Sequence, residues 1–91
     1  MDTDLDRVIA HAQRLDNETR NAIVHLAAEQ LVSNGALTVI RSHTERGGTI
    51  FDLYRNNQTG KTYITRRPDL TPQARGSLER KLAEMLGDPG P

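Results

Sequence analysis

Several residue groups have types and spacings that could do chemistry. Asp2, Asp4 and Asp6 alternate like the first ligands of a calcium loop. Such a loop also needs a glycine at its sixth position and a carboxylate at its twelfth, where this chain has Arg7 and Gln13. The acidic run instead suits a helix N-terminus, whose partial positive charge favours carboxylates. Thr59-Gly60-Lys61-Thr62 has the residue order that ends a phosphate-binding loop. The full pattern requires a glycine where Arg55 stands, and a strand-to-helix transition where this segment reads as a hairpin. His11, His25 and His43 include no pair at metal-ligand spacing, and they read as surface or boundary histidines. Ser33, Ser42 and Ser77 carry no local signature of activation by a base. The chain has no cysteine, which excludes disulfides and thiolate sites. No catalytic residue, metal site or cofactor is expected, and the chain reads as a protein that is not an enzyme.

One further group carries functional content. Arg41, Arg46, Arg55, Lys61, Arg66 and Arg67 fall between residues 36 and 67, together with Tyr54 and Tyr63. Arginine forks match phosphate, and tyrosine rings can stack on bases. These eight residues are the candidate anion-binding or nucleic-acid-binding set. The formal net charge is zero, whereas most strong nucleic-acid binders are clearly basic. Residues 1–35 hold six acidic and three basic side chains, and residues 36–67 hold six basic and two acidic ones. Such a split suits an anionic partner, and it equally suits two parts of one fold that attract each other.

The elements that would position these residues follow from patterning. Residues 3–34 have helical spacing, with apolar side chains at Leu5, Val8, Ile9, Ala12, Leu15, Ala22, Ile23, Leu26, Ala27 and Leu31. Thr3 and Asp6 have the spacing of a capping box, and Gly35 is a helix stop. One helix of this length would run ~45 Å, longer than a compact domain of this size. A break at Leu15–Thr19, with Asp16 or Asn17 as cap, gives two helices over 4–15 and 17–34. An unbroken helix would instead be favoured by a homodimer. Leu5, Val8, Ala12, Leu15, Thr19 and Ala22 follow the 3-4 alternation of a coiled-coil seam, and its apolar members Leu5, Val8, Ala12, Leu15 and Ala22 are the candidate self-association residues.

Three strands follow, over 36–43, 49–55 and 61–67, rich in β-branched and aromatic residues. Gly47-Gly48 and Asn56–Gly60 supply the turns of an antiparallel meander. A loop over 57–60 sets Leu53 opposite Ile64 and Tyr54 opposite Tyr63. On this register Phe51, Leu53 and Ile64 are expected to face the core, with Asp52, Tyr54, Lys61, Tyr63, Thr65 and Arg67 on the other face. Thr71-Pro72 opens a last helix, striped by Leu78, Leu82, Met85 and Leu86 and stopped by Gly87. Gly76 within it marks either a close approach to the sheet or a tolerated weakness.

The expected fold is therefore α+β, ordered α(α)βββα, with a single domain over 1–87 and a frayed tail over 88–91. One helical segment, three strands and a helix is an order similar to that of double-stranded-RNA-binding domains. The Lys-Lys cluster that opens the last helix in that family is absent here, where the segment reads Leu70-Thr71-Pro72-Gln73-Ala74-Arg75. The resemblance stops at the order of elements.

Only 35% of residues are hydrophobic, and the aromatics are Phe51, Tyr54 and Tyr63 alone. A domain of this size buries only about 60–65% of its unfolded surface, so a thin core points to apolar surface covered by a partner or a second copy. No apolar run approaches the ~20 residues of a membrane span, and the acidic N-terminus lacks the order of a signal peptide. The expectation is a cytoplasmic, non-catalytic regulatory protein that works by protein–protein contact, as an inhibitor, antitoxin-like protein or adaptor, and as a homodimer. The alternative is a nucleic-acid-binding module that uses the basic meander.

Overall fold

The structure is a computed structural model that describes residues 4–87. Thr3, the expected capping residue, and the expected tail over 88–91 lie outside the described residues. The order is α1 (Asp4–Ala12), α2 (Asn17–Ser33), β1 (Leu37–Thr44), β2 (Ile50–Asn56), β3 (Thr62–Arg66) and α3 (Pro72–Gly87). It is an α+β fold with a three-stranded antiparallel sheet in the order β1-β2-β3. No helix of the described residues is long and apolar enough to cross a membrane.

The N-terminal segment is broken into two helices. A turn after α1 is closed by Leu15 N donating to the Ala12 carbonyl at 3.0 Å. Asp16 then caps α2, its side chain accepting from the Thr19 amide at 3.3 Å. The Thr19 hydroxyl first, and then this amide bond, hold the Asp16 carboxyl below its ordinary range. At the other end, Ala36 N donates to Leu31 O and Gly35 N to Val32 O. This is the paired closure of a Schellman motif. It needs the left-handed φ of +86° that Gly35 adopts without a Cβ penalty.

The break folds α1 back onto α2, so the apolar stripe closes on itself. Leu5, Val8, Ala12 and Ala22 are buried inside the domain, and Leu15 packs partly buried against the same cluster. This corrects the expected self-association seam. The residues proposed to meet a second copy are covered by the chain's own core. The core continues through Ile23, Leu26, Ala27, Leu31, Leu37 and Leu82.

The loop-derived register is the one observed, with Leu53 paired to Ile64 and Tyr54 to Tyr63. A bulge between Val39 and Arg41 on β1 was not foreseen. The faces are the reverse of expectation. Tyr54 and Tyr63 are 2% and 8% exposed, and Asp52 and Thr65 are buried beside them. Ile64 is 68% exposed, while Phe51 and Leu53 are only partly covered. A tyrosine brings more area to a core than an aliphatic side chain and can still satisfy its hydroxyl. The Tyr63 hydroxyl donates to Asp6 of α1 at 3.2 Å. Burial raises the Tyr54 phenol above its ordinary range, with the Thr65 hydroxyl pulling the other way.

The Thr71 hydroxyl accepts from the Ala74 amide at 3.1 Å and caps α3. A Cβ placed on Gly76 would meet nothing within 4 Å. Gly76 therefore marks no close approach and is a weakness in the helix.

Candidate interaction surface on the open sheet face

The helices cover one face of the sheet and leave the other to solvent. Cross-strand pairing places the residues of the open face in rows. His43, Phe51 and Arg66 form one row, and Arg41, Leu53 and Ile64 the next. Thr38, Arg55 and Thr62 form the third. The centre is apolar and three arginines stand around it. Val39, which pairs with the inward-facing Tyr54 and so belongs to the other face, is 43% exposed, and Ile40 at the bulge is 44% exposed. A shallow hollow of about 350 Å³ runs over this face, lined by Arg41, His43, Glu45, Phe51, Asp52, Leu53 and Ile64.

The eight residues expected to form one basic, aromatic surface are thus divided. Tyr54 and Tyr63 point into the core and cannot stack on a base. Lys61 pairs with Asp6 at 2.9 Å and lies over the Tyr63 ring at 5.2 Å. Arg67 forms two hydrogen bonds to Asp52, at 2.7 and 3.1 Å. Arg41, Arg55 and Arg66 share the open face, and Arg46 sits in the turn between β1 and β2. Among the described residues these four arginines have no carboxylate partner.

Beneath the sheet lies a polar cluster that sequence reasoning missed. His25 is buried, not at a solvent boundary. Its Nε2 is 2.8 Å from Glu29 Oε1, and its Nδ1 is 3.0 Å from Thr65 Oγ1. Glu29 accepts from Arg75 of α3 at 2.6 Å. Burial pushes the Glu29 carboxyl up, but the Arg75 hydrogen bond and neighbouring positive charge outweigh it and leave the group below its ordinary range. Asp52 accepts from Arg67 and from the Ser42 hydroxyl. The Arg67 bond is the main reason its carboxyl is held low.

A hydroxyl, an imidazole and a carboxylate in contact is a pattern that can activate a nucleophile. Here Thr65 and His25 are each 3% exposed, so no substrate reaches the hydroxyl. The cluster instead ties α2 to the sheet and to α3. No buried side-chain polar atom among the described residues lacks a partner, which is what a cluster of structural role requires. The signal available in the sequence was the helical spacing of His25 and Glu29 on α2. Among the described residues, no three metal-ligating side chains gather as a site. No protein-family model, no curated protein and no solved structure matches the chain.

Proposed function

We propose that this chain is a non-catalytic binding protein that works by protein–protein contact, with the open face of the sheet as its contact surface. One observation carries the reading. In a chain so short of apolar residues, Ile64 is left 68% exposed at the centre of the open face, beside the partly covered Phe51 and Leu53. An antiparallel sheet with a solvated face normally presents polar residues there. An apolar centre rimmed by arginine is the composition of a protein interface, in which charged residues are depleted at the centre and arginine is enriched.

The test uses the full chain immobilised as wild type, as Ile64→Glu, and as Arg14→Glu for a surface control. Each is exposed to the proteins of its own cell, crosslinked and analysed by quantitative mass spectrometry. A partner retained by wild type and Arg14→Glu but lost by Ile64→Glu is the expected result. If every retained protein is indifferent to Ile64, the reading fails.

A second reading is a nucleic-acid-binding module. It is supported by Arg41, Arg46, Arg55 and Arg66, which have no carboxylate partner among the described residues. Four phosphate contacts would give a log–log salt slope of about −3 to −4. A titration against duplex and single-stranded DNA and RNA measures it directly.

A further inference from the structure

We infer that the occupant of the open sheet face is an acidic, apolar-punctuated segment of another protein. The inference rests on the protein-contact reading above and gives the partner its chemistry. Its first support is charge. Arg41, Arg55 and Arg66 flank Leu53 and Ile64, and none has a carboxylate partner among the described residues. From strand spacings their Cα atoms stand about 8–14 Å apart. A single segment crossing the sheet could therefore offer carboxylates to all three. Arginine binds carboxylates through paired, parallel hydrogen bonds, and these strengthen as the apolar centre beside them excludes water.

The same layout disfavours the other occupants. A second copy meeting this face through a two-fold axis would set an arginine-rich patch against itself. Like charges juxtaposed in an interface cost several kcal/mol. Addition of a second copy along the free edge of β1 meets the bulge between Val39 and Arg41, a device that blunts edge pairing. A nucleic acid would find the two tyrosines turned inward. It would find Leu53 and Ile64 at the centre, where base recognition calls for hydrogen-bonding or stacking groups.

A random peptide display library, selected on the full wild-type chain and counter-selected on Arg41→Glu/Arg66→Glu, reads the chemistry without assuming a sequence. Both substituted positions are exposed, and circular dichroism of the variant verifies its fold. Enriched peptides should combine Asp or Glu with apolar residues and perturb the amide resonances of Leu53, Ile64 and Arg66. The double variant should weaken them at least about tenfold.

Enrichment of neutral or basic peptides that still depend on Ile64 would overturn the acidic partner and leave the protein-contact reading standing. Peptides indifferent to both arginines, or no enrichment at all, would also overturn it. Concentration-dependent dimerisation lost in Ile64→Glu would replace the partner with a second copy. Oligonucleotides that perturb the same amides, when peptides do not, would overturn both readings.

Discussion

Leu53 and Tyr54 are neighbours on β2 that point to opposite faces, and their cross-strand partners Ile64 and Tyr63 follow them. Truncation on each face therefore tests which one is the core. Tyr54 is 2% exposed and packs in the cluster that holds Leu26 and Leu82. Replacing it with alanine removes a buried aromatic ring and leaves a cavity, a change that costs about 3–5 kcal/mol. Ile64 is 68% exposed, so only about a third of its side chain is withdrawn from water. Complete burial of such a side chain contributes roughly 1.5–3 kcal/mol, which leaves under about 1 kcal/mol for Ile64→Thr to lose. A domain of this length has a total stability of about 5–13 kcal/mol, so the first substitution removes a large share of it and the second very little. In thermal terms, Tyr54→Ala should lower Tm by at least about 12 °C and Ile64→Thr by no more than about 8 °C. Urea denaturation at neutral pH, with m compared across the three proteins, measures both costs. An Ile64→Thr penalty equal to that of Tyr54→Ala would refute the face assignment, because it would require the helices to lie over the aliphatic side of the sheet.

Two further predictions concern the buried polar cluster and α3. Asp52→Asn keeps the side chain's shape but removes the charge that faces Arg67. The Asp52 carboxyl is held below its ordinary value of 3.8, so its stabilisation is complete above that value and is lost as the pH falls through the lower folded value. Wild type should exceed Asp52→Asn by about 1–3 kcal/mol at neutral pH, and urea titrations at falling pH should show the two converging. A gap that stays constant into acid would show that the charge is not the stabilising element. Gly76→Ala removes a flexible residue from a helix interior where the new methyl group meets nothing within 4 Å. It should stabilise the protein by about 1 kcal/mol, visible as a higher urea midpoint, and a loss of stability would mean that Gly76 has a packing role.

What could be read from the sequence was whatever short-range chemistry decides. Asp16 and Gly35 bound α2 because an N-cap and a left-handed C-terminal residue act within a few positions of themselves. Gly60 closes the second hairpin, and the loop length fixed Leu53 against Ile64. The bulge at Val39–Arg41 escaped because Val39 and Ile40 both suit a regular strand, so nothing local marks the extra residue. The burial of His25 escaped because Thr65, and the Arg75 that holds its helical neighbour Glu29, meet it only in the folded chain. Of the eight candidate site residues, the tyrosines, Lys61 and Arg67 have partners within the fold that the sequence does not name. Asp6 and the helix layer are long-range and leave no trace in local pattern, and the shared face of Asp52 and Arg67, legible in the register, does not by itself say that they pair.

The face reversal also links fold to function. Alternation along β2 and β3 defines two faces but not which of them the helices cover. The buried face of α2 sets three alanines, Ala22, Ala27 and Ala28, among the larger Ile23, His25, Leu26 and Leu31. A layer with such gaps admits tyrosine rings, which bring more area to a core than aliphatic side chains. It also brings Asp6 and His25 within reach of the polar groups that come inward with those rings. Once Tyr54 and Tyr63 face inward, Leu53 and Ile64 must face outward, because the period of a strand is two. The exposed apolar centre thus follows from how the core is filled, and the arginines that share its rows follow from the same register. A polar residue at Ile64, which is 68% exposed, would cost the isolated fold under about 1 kcal/mol. An exposed Ile64 beside arginines with no carboxylate partner among the described residues is the feature on which the proposed contact surface rests.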